Sequence, residues 1–335
     1  MNLENEIKIS VIIPVYNGER FIGEAIESIL NQTFTDFELI IVNNCSTDST
    51  AAVVARYNDP RIIYVENEKN MGVIFSLNRG LSMSSGKYIA RIDADDIALP
   101  RRLQIQYDYM EKHPEIGVLG SSVESFDNNT GKSQRVDFAL TDKAIRAFTF
   151  FQSPFNQPSV IFRKSVLDEN GLKYPEGYYL AEDYSFWVDL LKVTKGANLS
   201  EILLRYRKHE KSETTVADKV VNSRAEVVIR VHHKYLENNN IRLDSAQLET
   251  FTLFTDRSFR YELNSENQRA ADLVINIFLE QLKANHPELL DETLKNLSAI
   301  CFYKFLKYRK IPQTKLFLNL FLKGGAYYAG KLFGK

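Results

Sequence analysis

The sequence is poor in cysteine and in long apolar stretches, and its charges nearly cancel. Its 335 residues include two cysteines, Cys45 and Cys301, too few for a disulfide framework and too far apart for a zinc knuckle. Its apolar runs fall far short of the roughly 20 residues that a membrane-spanning helix needs. The net charge of −1 provides no overall attraction to nucleic acid. We therefore expect neither a transmembrane protein nor a nucleic-acid-binding protein.

The first ten residues, MNLENEIKIS, lack the basic start and apolar core of a signal peptide. This absence and the low cysteine content predict a cytoplasmic protein in a reducing compartment. With 44% apolar and 25% charged residues, the composition is typical of globular proteins. The length suits two domains, or one large domain with an appendage.

Acidic residues are absent from residues 301–335, which contain eight lysines or arginines. The whole chain has 42 basic and 43 acidic residues, so residues 1–300 carry nine more acidic than basic side chains. Residues 312–335 combine lysine with leucine, phenylalanine and tyrosine, which is typical of a helix on an anionic membrane surface. A helix docked on the protein body, with its lysines in solvent, is the alternative.

Strand and helix patterns alternate four times in the first 115 residues, which predicts a mostly parallel sheet covered by helices. The predicted strands are residues 9–15, 38–42, 61–66, 88–92 and 116–123. Ligands of such sheets bind at the carboxyl ends of the strands. The informative segments are therefore residues 14–18, 43–48 and 93–96.

Strand patterns stop after about residue 218, and helical patterns replace them. The predicted helices are residues 218–240, 244–263, 265–284 and 286–308. We therefore predict an α/β domain over residues 1–215 and a helical C-terminal region over residues 216–335.

Three carboxylates, Asp93, Asp95 and Asp96, follow the fourth predicted strand within four residues. Because like charges repel at a buried strand end, such a cluster is destabilising unless a cation joins it. Hard oxygen ligands suit Mg²⁺ or Mn²⁺. The alternative is an acidic turn whose charges complement the dipole of a helix starting at Pro100.

Three strand ends together resemble the nucleotide-sugar-binding half of family 2 glycosyltransferases, which have the GT-A fold. The resembling segments are Pro14-Val15-Tyr16-Asn17, Val42-Asn43-Asn44-Cys45-Ser46-Thr47-Asp48 and Asp93-Ala94-Asp95. Their order and spacing match the family over residues 8–125, and the resemblance continues more weakly to about residue 213. It implies that this is an inverting transferase that uses a nucleotide-sugar donor.

The resemblance also implies roles for individual residues. Asp93 would hold the ribose side of the donor, and Asp95 would bind the metal that bridges the diphosphate. Pro14, Tyr16 and Asn17 would shape the nucleobase slot, although Tyr16 could instead be a core aromatic at a strand end. Asp96 continues the acidic turn.

The departure from the family lies at Asn43-Asn44, where two aspartates are usual. The second position commonly faces the nucleobase, so Asn44 is a donor-binding candidate. An asparagine can accept from uracil N3–H and donate to O4, but it can pair similarly with guanine N1 and O6. The substitution therefore leaves the donor nucleotide open, with UDP favoured.

The segment Ala181-Glu182-Asp183-Tyr184-Ser185-Phe186-Trp187 matches the family's E-D motif, which implies that Asp183 is the catalytic base. The alternative is an ordinary acidic helix start. His209, in Arg205-Tyr206-Arg207-Lys208-His209, resembles a family position that closes over the metal or the diphosphate, and its alternative is a surface histidine. Arg205 and Arg207 either pair with phosphate or lie on a solvated strand face.

These features predict a metal-dependent hexosyl- or N-acetylhexosaminyltransferase that adds one sugar to a glycan or lipid-linked glycan of a bacterial surface polysaccharide. The Q-x-x-R-W motif and membrane spans of processive relatives are absent. A non-catalytic relative that binds a glycan or partner is the second hypothesis, supported only by Asn43-Asn44. A sugar-1-phosphate nucleotidyltransferase is less favoured, because residues 14–18 contain one glycine where its phosphate loop needs several. A nicotinamide oxidoreductase is disfavoured, since no strand is followed by G-x-G-x-x-G.

Overall fold

The protein is described from a computed structural model, over residues 7–210, 212, 216–217 and 220–332, with side chains up to residue 325. Packing divides the chain into two compact units. The first comprises residues 1–141 and 155–212, and the second comprises residues 142–154 and 213–335. The domain division at residue 215 stays a prediction, and the short segment 142–154 belongs by its packing to the second unit.

A nine-stranded sheet organises the first unit. Its strands are β1 (Ile9–Val15), β2 (Phe37–Asn43), β3 (Ile62–Glu66), β4 (Tyr88–Arg91), β5 (Ile97–Ala98), β6 (Ile116–Asp127), β7 (Ser133–Val136), β8 (Ile161–Arg163) and β9 (Lys195–Lys208). The order is β3-β2-β1-β4-β8-β6-β9-β5, with β7 beside β6. Strands β1 to β4 are parallel, and β8 runs antiparallel to β4 and β6. The five predicted strands are therefore present, in a mostly parallel sheet.

Helices follow the strands where apolar residues recur at helical spacing. They are α1 (Ile22–Leu30), α2 (Thr50–Val54), α3 (Val73–Met83), α4 (Arg102–Lys112), α5 (Asp142–Thr149), α6 (Lys164–Asn170) and α7 (Glu182–Val193). Helix α1 buries Ile22, Ala25, Ile26 and Ile29 against the sheet core. Helix α4 begins at Arg102 and not at Pro100, because a turn closed by the Arg102 N–H and the Leu99 carbonyl precedes it.

In the second unit, the residues that the structure describes form five further helices besides α5. They are α8 (Ala225–Asn238), α9 (Ser245–Thr255), α10 (Ser265–Asn285), α11 (Leu290–Lys307) and α12 (Lys315–Leu332). The predicted helix over residues 244–263 ends at Thr255. It ends there because the Asp256 carboxylate accepts hydrogen bonds from the Ser258 N–H and hydroxyl, which turns the chain. Within the described residues, we find no helix with the length and apolarity needed to cross a bilayer.

A buried lysine secures this turn. Lys304 is fully buried, and its ammonium donates to the carbonyls of Leu253 (2.7 Å) and Phe259 (2.8 Å). Burial lowers the pKa of Lys304 to about 7, although the charge of Asp256 opposes the shift. The unfolded chain therefore binds one more proton than the folded protein between pH 7 and the ordinary lysine pKa of 10.5.

We expect Lys304 to make the stability of the second unit rise with pH over that window. Replacing Lys304 by methionine should remove this rise, so the stability advantage of the wild type over the variant should grow from pH 7 to pH 10. Urea unfolding of both proteins at several pH values measures it. A difference between the two proteins that does not change with pH would contradict the depressed pKa.

Candidate active site

The first two predicted segments lie side by side, because β1 and β2 are parallel neighbours that end together at Val15 and Asn43. The Asn17 N–H donates to the Ser46 hydroxyl (2.9 Å), and the Asn17 side-chain oxygen accepts from the Thr47 N–H (2.8 Å). Asn17 has a φ of 50°, a left-handed conformation that asparagine tolerates. Tyr16, which precedes Asn17, is 48% exposed, so it is not a core aromatic.

The amide of Asn44 is engaged with a neighbouring loop. Asn44 is 5% exposed, and its oxygen accepts hydrogen bonds from Asn67 Nδ2 and the Met71 N–H, both at 2.9 Å. Its nitrogen donates to Asn70 Oδ1 (2.8 Å), which also accepts from the Gly72 N–H (3.0 Å). Because the Gly72 N–H fixes the Asn70 side-chain oxygen in place, the atom that faces position 44 is a hydrogen-bond acceptor. The side chain at position 44 must therefore donate a hydrogen bond to it.

Asn43 has a similar reason to be an amide. Its oxygen accepts from the N–H and the hydroxyl of Ser46, and its nitrogen donates to the Tyr64 hydroxyl (2.8 Å). That hydroxyl gives its own proton to Glu66 (3.0 Å). The asparagines at positions 43 and 44, where the family usually has aspartates, therefore match the hydrogen-bonding partners around them. This match could not be predicted from the sequence.

Replacing Asn44 by aspartate should set a carboxylate oxygen against Asn70 Oδ1. We expect a loss of about 1–3 kcal/mol in the free energy of unfolding, the usual cost of such a mismatch. The same change at the exposed Asn129 is the control. In an Asn70→Ala background the cost of Asn44→Asp should fall, and an equal cost in both backgrounds would contradict the pairing.

The acidic turn after β4 gathers three carboxylates whose oxygens lie within 4.8 Å of one another. Asp93 accepts from Arg91 (2.6 Å), and Asp95 Oδ2 lies 2.8 Å from His209 Nε2. Burial raises the pKa of Asp93, against the opposing charge of Arg91. Burial, together with the charges of Asp95 and Asp93, raises the pKa of Asp96 well above its usual value.

Two buried arginines lie close to the acidic turn. Arg91 and Arg102 are each 1% exposed, and Arg102 donates to the Arg91 carbonyl (2.6 Å). Burial lowers the pKa of Arg102 to about 9, while the charges of Asp96 and Asp93 oppose that shift. Neither arginine was predicted from the sequence to belong to the site, although an arginine inside the apolar strand YIARI was the available signal.

Strand β9 brings two more residues to the acidic turn. Arg207 is 4% exposed, its N–H donates to Asp96 Oδ1 (2.8 Å), and its Nε donates to the Asp95 carbonyl (2.7 Å). Its two remaining nitrogens donate to Asn128 and Glu24. Arg207 therefore secures the turn and is neither solvated nor available to phosphate. Arg205 pairs with Glu124 (2.8 Å) and is 40% exposed at its side chain.

The donor set fits a divalent cation. Asp96 Oδ2 is buried, and no hydrogen-bond partner for it exists among the described residues. Carboxylate oxygens with an imidazole nitrogen are ligands that Mn²⁺ and Mg²⁺ accept in proteins. The His209 side chain is 12% exposed and lies against Asp95, so it is not a free surface histidine.

Asp183 lies in the first turn of α7, where its Oδ1 accepts from the Tyr184 N–H (2.6 Å). The fully buried Tyr174 packs on this helix, with its ring stacked on that of Phe186 (centroids 4.3 Å apart). Burial raises the pKa of Tyr174 to about 12, Arg91 lowers it, and the charges of Asp183 and Glu182 raise it further.

Comparison with known proteins identifies the family. The glycosyl transferase family 2 model matches residues 10–171. An uncharacterized glycosyltransferase of Haemophilus influenzae is 34% identical over 263 residues, which cover 75% of this chain and 80% of that protein. The amylovoran biosynthesis glycosyltransferase AmsE of Erwinia amylovora is 34% identical over 203 residues, covering 59% and 75%. The chain belongs to glycosyltransferase family 2.

Solved structures of low identity share the fold. Staphylococcus aureus TarS 1–349, in complex with UDP-GlcNAc, is 22% identical with a TM-score of 0.60, covering 96% of this chain and 92% of that one. The mannosyltransferase PcManGT of Pyrobaculum calidifontis, in complex with GDP-Man and Mn²⁺, is 17% identical with a TM-score of 0.56, covering 98% and 88%. The predicted GT-A-type α/β fold with a helical C-terminal region is confirmed.

Proposed function

We propose that the protein transfers one sugar, with inversion, from a nucleoside-diphosphate sugar to a hydroxyl of a glycan or lipid-linked glycan. The observation that carries this proposal is the acidic turn of Asp93, Asp95 and Asp96, with His209 at 2.8 Å from Asp95. The name of AmsE supports a place in surface polysaccharide assembly. We take the sugar to be a hexose or N-acetylhexosamine.

Residues at the strand ends would bind the nucleoside part of the donor. Tyr16 offers an exposed aromatic face to the nucleobase, and Asn17 holds the turn that carries it. Pro14 precedes that turn at the end of β1. Asp93, oriented by Arg91, accepts hydrogen bonds from the ribose. Asn44 holds the loop of Asn70 and Met71 by hydrogen bonds. It therefore contributes to the nucleobase slot by positioning this loop more than by contacting the base.

Asp95 and His209 would hold Mn²⁺ or Mg²⁺, which would offset the charge that develops on the leaving diphosphate. Asp183 takes the proton from the acceptor hydroxyl as that oxygen attacks the anomeric carbon. The hydrogen bond that Asp183 accepts from the Tyr184 N–H fixes the orientation of its carboxylate. Arg207 keeps the acidic turn in place, because it donates to both Asp95 and Asp96.

The donor is proposed to be a UDP-sugar, since the TarS structure in complex with UDP-GlcNAc shares the fold over nearly the whole chain. Because PcManGT, in complex with GDP-Man, shares the same fold, a GDP-sugar is the alternative donor to be tested. A non-catalytic relative is less favoured, because the hydrogen-bonding partners of Asn43 and Asn44 give both substitutions a structural reason.

A thermal-shift panel tests the proposal. UDP, GDP, CDP and dTDP are each added with and without Mn²⁺, since a ligand at 100 times its Kd stabilises by roughly 2.7 kcal/mol. We expect the largest rise in Tm with UDP and Mn²⁺ together. No shift with any nucleotide would overturn the proposed function, and a shift largest with GDP would overturn the choice of donor.

A further inference from the structure

The last two helices form an antiparallel hairpin. Phe317 of α12 contacts Phe305 of α11 (ring centroids 5.7 Å apart), and Phe321 contacts Phe302 (5.2 Å). Further along α12, a Cβ atom at Gly324 would overlap the Ser298 carbonyl, so the helices lie very close there. We call residues 303–323 the hairpin tip, because they include the end of α11, the connection and the start of α12.

One face of α12 is not available to any partner. Phe317 is fully buried and Leu320 is 4% exposed, and the Phe317 ring stacks on Phe254 (4.9 Å). Both residues lie within residues 312–335, the segment whose composition predicted a helix on a membrane surface. The docked alternative is therefore correct for this face, and any surface contact must use other residues.

The hairpin tip nevertheless exposes large apolar side chains. Leu306 is 54% exposed, Ile311 78%, Leu318 45% and Leu322 60%. Exposed basic residues lie between or next to them in the sequence, and no acidic residue follows position 300. The exposed basic residues are Lys307, Arg309, Lys310, Lys315 and Lys323.

Two tyrosines complete this surface. Lys307 lies over the ring of Tyr303 (5.3 Å) and over that of Tyr308 (5.5 Å), and both tyrosines are partly exposed. Tyrosine with lysine is typical of side chains at the boundary between lipid headgroups and acyl chains. Exposed apolar residues alone would indicate many kinds of partner, but the five exposed basic side chains in this segment, which itself contains no acidic residue, favour an anionic one.

We propose that the hairpin tip binds the surface of a bilayer that contains anionic phospholipid. Leu306, Ile311 and Leu318 enter the headgroup region, and the basic side chains pair with lipid phosphates. The purpose of this contact rests on the proposed function, because it would hold the enzyme on the surface that carries a lipid-linked acceptor.

Co-sedimentation with vesicles tests the proposal on the full chain. Removing α12 would uncover Phe254 and Phe305, so point variants are used instead. A charge variant carries Lys307→Gln, Lys310→Gln and Lys315→Gln, and an apolar variant carries Leu306→Ser and Ile311→Ser. The control carries Leu273→Ser and Lys283→Gln, since Leu273 is 61% exposed on α10 and Lys283 is also exposed there.

We expect the wild type to bind phosphatidylcholine vesicles that contain phosphatidylglycerol, and to bind less at high salt. The charge variant should lose on the order of 100-fold in partition coefficient, since each basic residue contributes about fivefold. The apolar variant should lose about tenfold or more. The control should bind as the wild type does.

Equal binding by the wild type and both tip variants would overturn the proposal, as would wild-type binding that does not require phosphatidylglycerol. Sedimentation without vesicles, abolished by the tip variants, would also overturn it and would assign the tip to contact between copies of the chain. The Tm response to UDP and Mn²⁺ is measured on the same proteins. If the wild type does not bind the vesicles but keeps its Tm response to UDP and Mn²⁺, the proposed membrane surface is wrong and the proposed function is unaffected.

Discussion

Replacing Asp183 by asparagine is expected to lower turnover roughly 10²–10⁴-fold, the usual contribution of a general base. The asparagine oxygen can still accept the Tyr184 N–H bond, so the start of α7 should keep its structure. It cannot take a proton at neutral pH. We therefore expect nucleotide-sugar binding and Tm close to those of the wild type, with the loss confined to kcat.

Asp189→Asn is the matched control, because Asp189 lies later in the same helix and the substitution is chemically identical. Steady-state transfer assays and donor titrations on the three proteins separate kcat from binding. Near-normal transfer by the Asp183 variant would reduce Asp183 to a residue that starts a helix. Loss of transfer together with loss of Tm would indicate a structural role.

The second large effect is expected from Asp95→Ala. This change removes the carboxylate beside His209 but keeps the backbone carbonyl to which Arg207 donates, so the turn should persist. Removing one of three mutually repelling charges should leave the metal-free protein as stable as the wild type or more stable. We expect nucleoside-diphosphate binding to lose its dependence on Mn²⁺, and transfer to become very slow.

Isothermal titration of UDP with and without Mn²⁺ measures the change. Asp36→Ala, at an exposed acidic residue of the loop before β2, is the control and should keep the full metal response. If the Asp95 variant responds to Mn²⁺ as strongly as the wild type, then Asp95 does not bind the metal. His209→Gln should weaken the response by a smaller amount, because the carboxylate supplies the charge.

The local segments of the site were predictable from sequence, and their connections were not. Residues 14–17, 43–48 and 93–96 each end a strand within one short stretch, so apolar runs and turn residues indicated them. The bond between Asp95 and His209 joins residues 114 positions apart, through the pairing of β5 with β9. Only a family resemblance suggested it, since no local pattern reports such a contact.

The helical region shows a similar division. The periodicity of α10 and α11 indicated their bounds to within a few residues, because amphipathic spacing is a local property. The early end of α9 depends on the Asp256 turn and on Lys304, which is distant in sequence. The apolar residues of α12 were visible in the sequence, but whether they pack internally depends on Phe254 and Phe305.

The sequence by itself determined the parallel α/β sheet, the acidic turn at the end of β4 and the acid-free C-terminal end, because each follows from the order of residues along one segment. The tertiary structure alone decided which amides are committed to a loop, which arginine secures the acidic turn and which face of α12 is buried. These depend on burial and hydrogen-bond partners supplied by other segments. Arg205 and Arg207 are two residues apart in one strand, yet one is 40% exposed at its side chain and the other 4%.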